Sequence, residues 1–383
     1  CRVVLRGFQD DRRHHATDSP TLRMESWRLI TQQAADLGQQ LWKFDLKTAF
    51  LQGIAYDDEN ELVYWTPPPF FRKYYGMKDD EVCVALKSIY GLNDAPRRWY
   101  EKLAQALMYE LGMERHWLDP CLFQKYETPS GCPHPEPVVR SREQITVTKH
   151  KRYNDIESCG PPKSTHYDNL VPVLSLGAHV DDLYATGNDG EMEELRKFLE
   201  RAFHVGSLEK AHEGDGFIYR GVRVRQLSNH HITVDMHEYI ERELGSKSGL
   251  RFDVPKRRKT GDDLRLLEKE GQEKYRTMIG KFIWCVTNTR SDVAVRVSQH
   301  ASFLGKATIA QAIGANSIAD ELCERQIVMH FRKLADLKHP RRLEILSDAA
   351  FKRADEPDNK SRGGMLLCLG VDKDVSDLVS LLG

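Results

Sequence analysis

The sequence predicts an α+β protein. Apolar residues recur at helical spacing in several separate stretches, apolar and polar residues alternate at strand period between them, and turn residues stand where neighbouring strands would fold back as hairpins. The first helix is expected over 21–38, where TLRMESWRLITQQAADLG sets Trp27, Ile30, Ala34 and Leu37 on one face before Gly38 stops it. Leu41, Trp42 and Phe44 then make a short apolar strand ending at Asp45. EVCVALKSIYGL (81–92) reads as a strand and a turn at Gly91. Pro96 follows at a helix's first turn, ahead of the stripe Trp99, Leu103, Ala106 and Leu107. Residues 128–169 are rich in Pro, Gly, Ser and charge with no sustained period, which predicts a disordered loop insertion.

Order is expected again from LVPVLSLGAHV, where Leu174, Leu176, Ala178 and Val180 alternate with Ser175, Gly177 and His179. Residues 191–203 carry a helical stripe. The segment 216–235 reads as two strands joined at Ser228-Asn229. Tyr275, Ile279, Phe282 and Val286 mark a further helix, with another starting near Ser291. RRLEILSDAAF and GGMLLCLG are strands.

A length of 383 residues accommodates two or three domains. With 40 % apolar and 30 % charged residues the chain reads as soluble and globular, and no apolar run approaches the eighteen or so residues of a membrane span. The opening residue is Cys1, which predicts a fragment of a longer chain. Eight cysteines without a CxxC pair fit free thiols in a reducing compartment. A net charge of −1 excludes any argument from global charge to nucleic acid. Local charge is uneven, with basic clusters at 97–98, 149–152 and 255–259.

The chemistry-bearing residues are aspartates. Asp-Asp occurs at 10–11, 57–58, 79–80, 181–182 and 262–263, and only Asp181-Asp182 lies between apolar runs. Asp45 ends another apolar strand. Hard divalent cations take such oxygen ligands together with substrate phosphates, and two of them about 3.5–4 Å apart support in-line phosphoryl displacement. On spacing alone the plainer reading, an exposed acidic tip and an unrelated strand-end aspartate, stands ahead, because the partners are far apart in sequence.

Ordered motifs reverse that preference. KFDLKTAFLQG (43–53), LKSIYGLNDAPRRWY (86–100), DPCLFQK (119–125) and HVDD (179–182) occur in the order found in copia-type retrotransposon reverse transcriptases. CRVVLRGF resembles that family's start, YRTMIGKFIWCVTNTRSDVAVRVSQ (275–299) its helical segment after the palm, and LSDAAF with SRGGMLLCLG the beginning of its ribonuclease H domain. The resemblance implies a right-hand polymerase fold: fingers and palm over 1–250 with an antiparallel palm sheet, a mainly helical thumb and connection over 251–340, and an incomplete ribonuclease H-like α/β module over 341–383.

It also implies roles for individual residues. Asp45, Asp181 and Asp182 match the catalytic, metal-binding aspartates, holding two Mg²⁺ ions with Mn²⁺ as a substitute. Phe50 matches the bulky residue beneath the incoming sugar, Gly91 the glycine turn near nucleotide and template, and Arg2 and Arg6 the cations that meet the triphosphate. Arg97, Arg98, Lys256, Arg257 and Arg258 become candidates for sequence-independent contacts with template and primer. Asp348 matches the first ribonuclease H aspartate. Its partners would lie beyond Gly383, so no hydrolase activity is expected here.

The implied function is RNA-directed DNA polymerisation. The partners would be an RNA template, a DNA primer, deoxynucleoside triphosphates and other Pol segments, in a cytoplasmic retroelement particle without membrane attachment. Two other functions fit the same residues: a decayed copy that binds nucleic acid without polymerising, and a Mg²⁺-dependent phosphohydrolase. His179 stands where the family has Tyr, Arg220 replaces an apolar residue of its primer-grip hairpin, and Ser291 replaces a Pro.

Overall fold

The computed structural model of the chain describes residues 3–10, 17–126, 171–253, 264–334, 341–350, 362–371 and 380–381, the last three segments as backbone alone. The expected insertion at 128–169 lies outside the described residues, as do Arg2 and the basic cluster 256–258. The protein is mixed α/β with antiparallel sheets, and it divides into two compact units: residues 1–30 with 39–209, and residues 31–38 with 210–383. Among the described residues no helix is long and apolar enough to cross a membrane.

The first unit is built on a six-stranded sheet. Helix α1 (Met24–Leu37) leads into β1 (Gln40–Leu46); β2 (Val63–Trp65), helix α2 (Pro69–Tyr75) and β3 (Cys83–Ala85) form a separate small hairpin module. Helix α3 (Ala95–Gln105) continues into a wider turn over 106–110 and is followed by β4 (Glu114–Arg115), β5 (Leu122–Tyr126), β6 (Pro172–His179), β7 (Asp182–Gly187), helix α4 (Asp189–Ala202) and β8 (Val205–Lys210). The sheet order is β4-β5-β6-β7-β1-β8, which puts β6 and β7 at its centre and β1 beside β7. Residues 173–178 of β6 are buried on both faces, so the alternation in the sequence marks the two faces of a central strand, both covered. On one face Trp27 of α1 meets Tyr184 of β7 edge-on at 6.1 Å. Met192, Leu195, Phe198 and Leu199 of α4 supply further core, at the spacing the sequence displays.

The motif residues around α3 are largely architectural. Asp94 is 3 % exposed and accepts hydrogen bonds from the Ser88 hydroxyl at 2.7 Å, the Tyr56 hydroxyl and Arg98. Asp119 of DPCLFQK accepts the backbone N–H groups of Arg23 and Cys121, both at 3.0 Å. Buried carboxylates satisfied in this way fix loop ends, because losing one partner would strand a charge in the interior.

The second unit carries the sheet β12-β11-β10-β9, from β9 (Phe217–Tyr219), β10 (Val222–Gln226), β11 (Ile232–Asp235) and β12 (Met329–Phe331). The segment expected as two strands holds three: Tyr219 pairs with Val222, so Arg220 and Gly221 form an additional two-residue turn. Arg220 sits at φ +52 and Gly221 at +78, the conformation of a type I′ hairpin turn. The Arg220 guanidinium lies 5.8 Å from the Trp284 ring centroid, a cation on an aromatic face. The helices of this unit are α5 (His237–Leu244), α6 (Lys269–Asn288), α7 (Ala294–Ala301) and α8 (Ile309–Glu324). Tyr275, Met278, Ile279, Phe282 and Cys285 form the buried face of α6, and Ala312, Ala315 and Ala319 are buried on α8. Ser291 opens a short 3-10 turn before α7, close to where the sequence places a helix start. Strands β13 (Arg341–Ala350), β14 (Arg362–Val371) and β15 (Ser380–Leu381) form a separate antiparallel sheet.

Candidate active site

Asp45 lies directly opposite Asp182 in the β1–β7 ladder, and Asp182 lies opposite His179 in the β6–β7 ladder. Directly opposed residues project to one face of a sheet. Lys43, two residues before Asp45, therefore shares that face with Asp45, Asp182 and His179. Asp181 joins them at the tip, because Val180 and Asp181 are the whole connection between β6 and β7.

The tip is strained. Val180 sits at φ +58, which a β-branched side chain resists at a cost of about 1–3 kcal/mol. Two hydrogen bonds from outside the hairpin hold it. The Trp99 indole N–H donates to the Val180 carbonyl at 2.7 Å, and the Leu46 N–H donates to the Asp181 carbonyl at 2.9 Å. Trp99 is 1 % exposed and packs edge-on against Phe203 at 5.4 Å. A buried hydrogen bond of this kind contributes about 0.5–1.5 kcal/mol, the same order as the strain.

Gly206 of β8 completes the wall behind Asp45. A β-carbon at Gly206 would stand 2.3 Å from Asp45 Oδ2 and 2.9 Å from Lys47 Cγ, so any other residue there would displace the carboxylate. On the charged face, Lys43 Nζ lies 3.5 Å from Asp182 Oδ1 and 3.3 Å from Glu209 Oε1. Burial pushes the Asp182 carboxyl above its ordinary range; Lys43 opposes this, and the neighbouring charges of Asp181 and Asp45 add to it. Among the described residues no group of three His, Cys, Asp and Glu side chains forms a ready-made metal cage. The donor set at the tip is nevertheless carboxylate oxygen, the chemistry of a hard divalent cation, and the cation that Asp182 meets is Lys43.

The other expected residues fall in different places. Phe50 stands in a 3-10 turn (Ala49–Gln52) following β1, half-buried, with its ring 5.2 Å from that of Tyr90. Gly91 is at φ +95, and its backbone is closely approached by the chain's own first segment. A β-carbon on Gly91 would lie 2.0 Å from the Leu5 carbonyl oxygen, so the chain's own first segment is what requires glycine here. Arg6, in that segment, is exposed.

Arg97 and Arg98 are held in ion pairs within the protein. Arg97 is 4 % exposed and pairs with Glu101 and, at 3.2 Å, with Asp18. Arg98 pairs with Asp94 at 3.1 Å and Glu61 at 2.8 Å, over the Tyr56 ring at 4.3 Å. Both guanidinium groups are thus engaged, that of Arg97 buried and that of Arg98 part-exposed. Lys256, Arg257 and Arg258 lie outside the described residues. Asp348 is in β13 opposite Gly364. Trp99, Gly206 and Lys43 are the residues that sequence reading passes over as site components.

Residues 1–130 match the family model described as reverse transcriptase (RNA-dependent DNA polymerase). Over 318 residues, 79 % of this chain and 20 % of the relative, the sequence is 26 % identical to the retrovirus-related Pol polyprotein from transposon TNT 1-94 of Nicotiana tabacum. It is 35 % identical over 112 residues to the Pol polyprotein from transposon RE2 of Arabidopsis thaliana, covering 28 % of this chain and 7 % of that one. Against the transposon Ty1-ER2 Gag-Pol polyprotein of Saccharomyces cerevisiae it is 32 % identical over 131 residues, 32 % of this chain and 7 % of the relative. The chain thus spans a fifth or less of the length of these relatives. Family match, relatives and the ordered motifs agree: residues 1–130 match a reverse transcriptase domain, and the chain is similar to Pol polyproteins of copia-type transposons.

Proposed function

We propose that the chain is the RNA-directed DNA polymerase part of a copia-type Pol polyprotein, with the six-stranded sheet as the palm of a right-hand fold and the helices after residue 251 as its thumb. The observation that carries this reading is the β1–β7 register, which sets Asp45 opposite Asp182 with Asp181 in the adjoining turn. Asp45, Asp181 and Asp182 would hold two Mg²⁺ ions, which when bound activate the primer 3′-hydroxyl and stabilise the leaving pyrophosphate. The chain's own residues prepare that chemistry. The strands fix the carboxylates on one face, Gly206 leaves room for Asp45, and Lys43 neutralises Asp182 until a cation replaces it. The Phe50 and Tyr90 rings, five residues after Asp45 and one before Gly91, would form the surface beneath the incoming sugar, where a 2′-hydroxyl would meet a ring. Template RNA, primer and deoxynucleoside triphosphates are the proposed substrates, and other Pol segments the proposed partners.

One observation favours a second reading, nucleic-acid binding without polymerisation: the carboxylates form no ready-made cage, and Lys43 already pairs with Asp182. Primer extension on an RNA template with Mg²⁺, with Asp181→Asn run beside the wild type, decides. Extension lost by at least 10³-fold in the variant supports the polymerase. Template binding without extension supports the second reading, and phosphate release without template would make the site that of a phosphohydrolase.

A further inference from the structure

We propose that Trp99 is a positioning residue for the aspartate pair: its indole N–H holds Val180 in the left-handed conformation and thereby sets the directions of Asp181 and Asp182. The kinetic part of this inference rests on the polymerase reading, and its metal-binding part does not.

Three observations converge on it. Val180 is the first residue of a two-residue turn and has φ +58, yet it is neither glycine nor asparagine, so its own sequence does not favour the conformation. Its carbonyl accepts the Trp99 N–H at 2.7 Å, from a helix that belongs to neither strand of the hairpin. Trp99 itself cannot drift, because it is buried and packs edge-on against Phe203, which in turn packs on Phe198 of α4. The hydrogen bond therefore connects a rigid helix–helix contact to the one turn whose dihedral angles aim both aspartates. The Leu46 N–H fixes the next carbonyl, that of Asp181, and so ties the tip to the strand of Asp45. A buried tryptophan N–H usually finds an acceptor. The choice of acceptor gives the bond its meaning here, since relaxing Val180 toward an extended conformation would rotate Asp181 relative to Asp182.

The test uses the full chain and three variants. Trp99→Phe keeps a ring against Phe203 and removes the donor. Val180→Gly removes the resistance to positive φ. The double variant carries both. Unfolding temperature, Mn²⁺ affinity by electron paramagnetic resonance, and kcat and KM for primer extension are measured on each. Trp99→Phe is expected to keep its unfolding temperature within a few degrees and its KM for template–primer, while kcat and Mn²⁺ affinity fall about tenfold. Adding Val180→Gly should restore most of both, because glycine occupies φ +58 without a tether. Wild-type kcat and Mn²⁺ affinity in Trp99→Phe would overturn the proposal. A defect that Val180→Gly leaves untouched would overturn it too, since it would assign Trp99 to packing alone. If the wild type extends no primer, the polymerase reading fails while the Mn²⁺ series still decides for or against the tether. A wild type that also binds no Mn²⁺ overturns both.

Discussion

Two hairpins of this protein close with two-residue turns, and they reach positive φ in opposite ways. The turn between β9 and β10 is Arg220-Gly221, with glycine at the more extreme angle and ordinary contacts around it; the nearest atom to a β-carbon on Gly221 would be Tyr239 Cδ2 at 3.5 Å. Its shape is chosen by its own residues. The turn between β6 and β7 is Val180-Asp181, a pair that local preference would not select, and neighbours enforce it through the Val180 and Asp181 carbonyls. The first turn is a connection; the second carries charge whose direction matters. Strain held from outside is a feature of sites where geometry outranks local comfort.

The comparison breaks most visibly by exchanging the residue types. Gly221→Val should destabilise the second unit by about 1–3 kcal/mol, seen as a lowered unfolding temperature, whereas Val180→Gly should leave thermal stability nearly unchanged or slightly raised. Equal losses in calorimetry would mean that the two turns are alike after all. A second way is to disturb the wall rather than the turn. Gly206→Ala puts a methyl carbon 2.3 Å from Asp45 Oδ2 and should weaken Mn²⁺ binding by about tenfold, or about 1.4 kcal/mol, in a titration, with no parallel in the second unit.

The smallest effect concerns pH and the second unit alone. Burial, with Arg296 adding to it, pulls the His300 imidazole below its ordinary value of 6.5, and its Nδ1 lies 2.9 Å from the Tyr275 hydroxyl. The folded state therefore favours neutral His300. Its contribution to stability is complete above pH 6.5 and declines as pH falls below that value, because the unfolded chain takes the proton first. The unfolding free energy from urea titration should fall further between pH 7.5 and pH 5.5 in wild type than in His300→Phe.

The strands that carry the carboxylates were legible because their apolar runs end at charge: β1 near Asp45, β6 just before Asp181. What the motifs could not reveal was which residues serve the fold. A compact Arg-Arg pair reads as basic surface, yet Glu101 and Asp94 stand four residues away from Arg97 and Arg98 on the same helical turns, a signal of internal pairing present in the sequence. Lys43 shares the aspartate face by simple strand alternation and could have been flagged on that ground. Gly206 could not, because its meaning comes from β8 lying beside β1, and nothing local announces that neighbour. The missed turn at Arg220-Gly221 has a different cause: arginine is no turn signal, and a lone glycine inside a strand pattern reads as a bulge.

The β1–β7 register also has a temporal consequence. Asp45 and Asp182 are about 140 residues apart in the chain, and β8, the other neighbour of β1, comes later still. At a synthesis rate of ~5–20 residues per second, β1 waits about 7–28 s on the ribosome before the strand bearing Asp182 emerges. Throughout that interval an apolar strand containing Leu41, Trp42 and Phe44 has neither of its neighbours, the condition in which strands pair with the wrong chain. The carboxylate site is thus among the last features of its unit to assemble, and a slow or interrupted translation exposes it first.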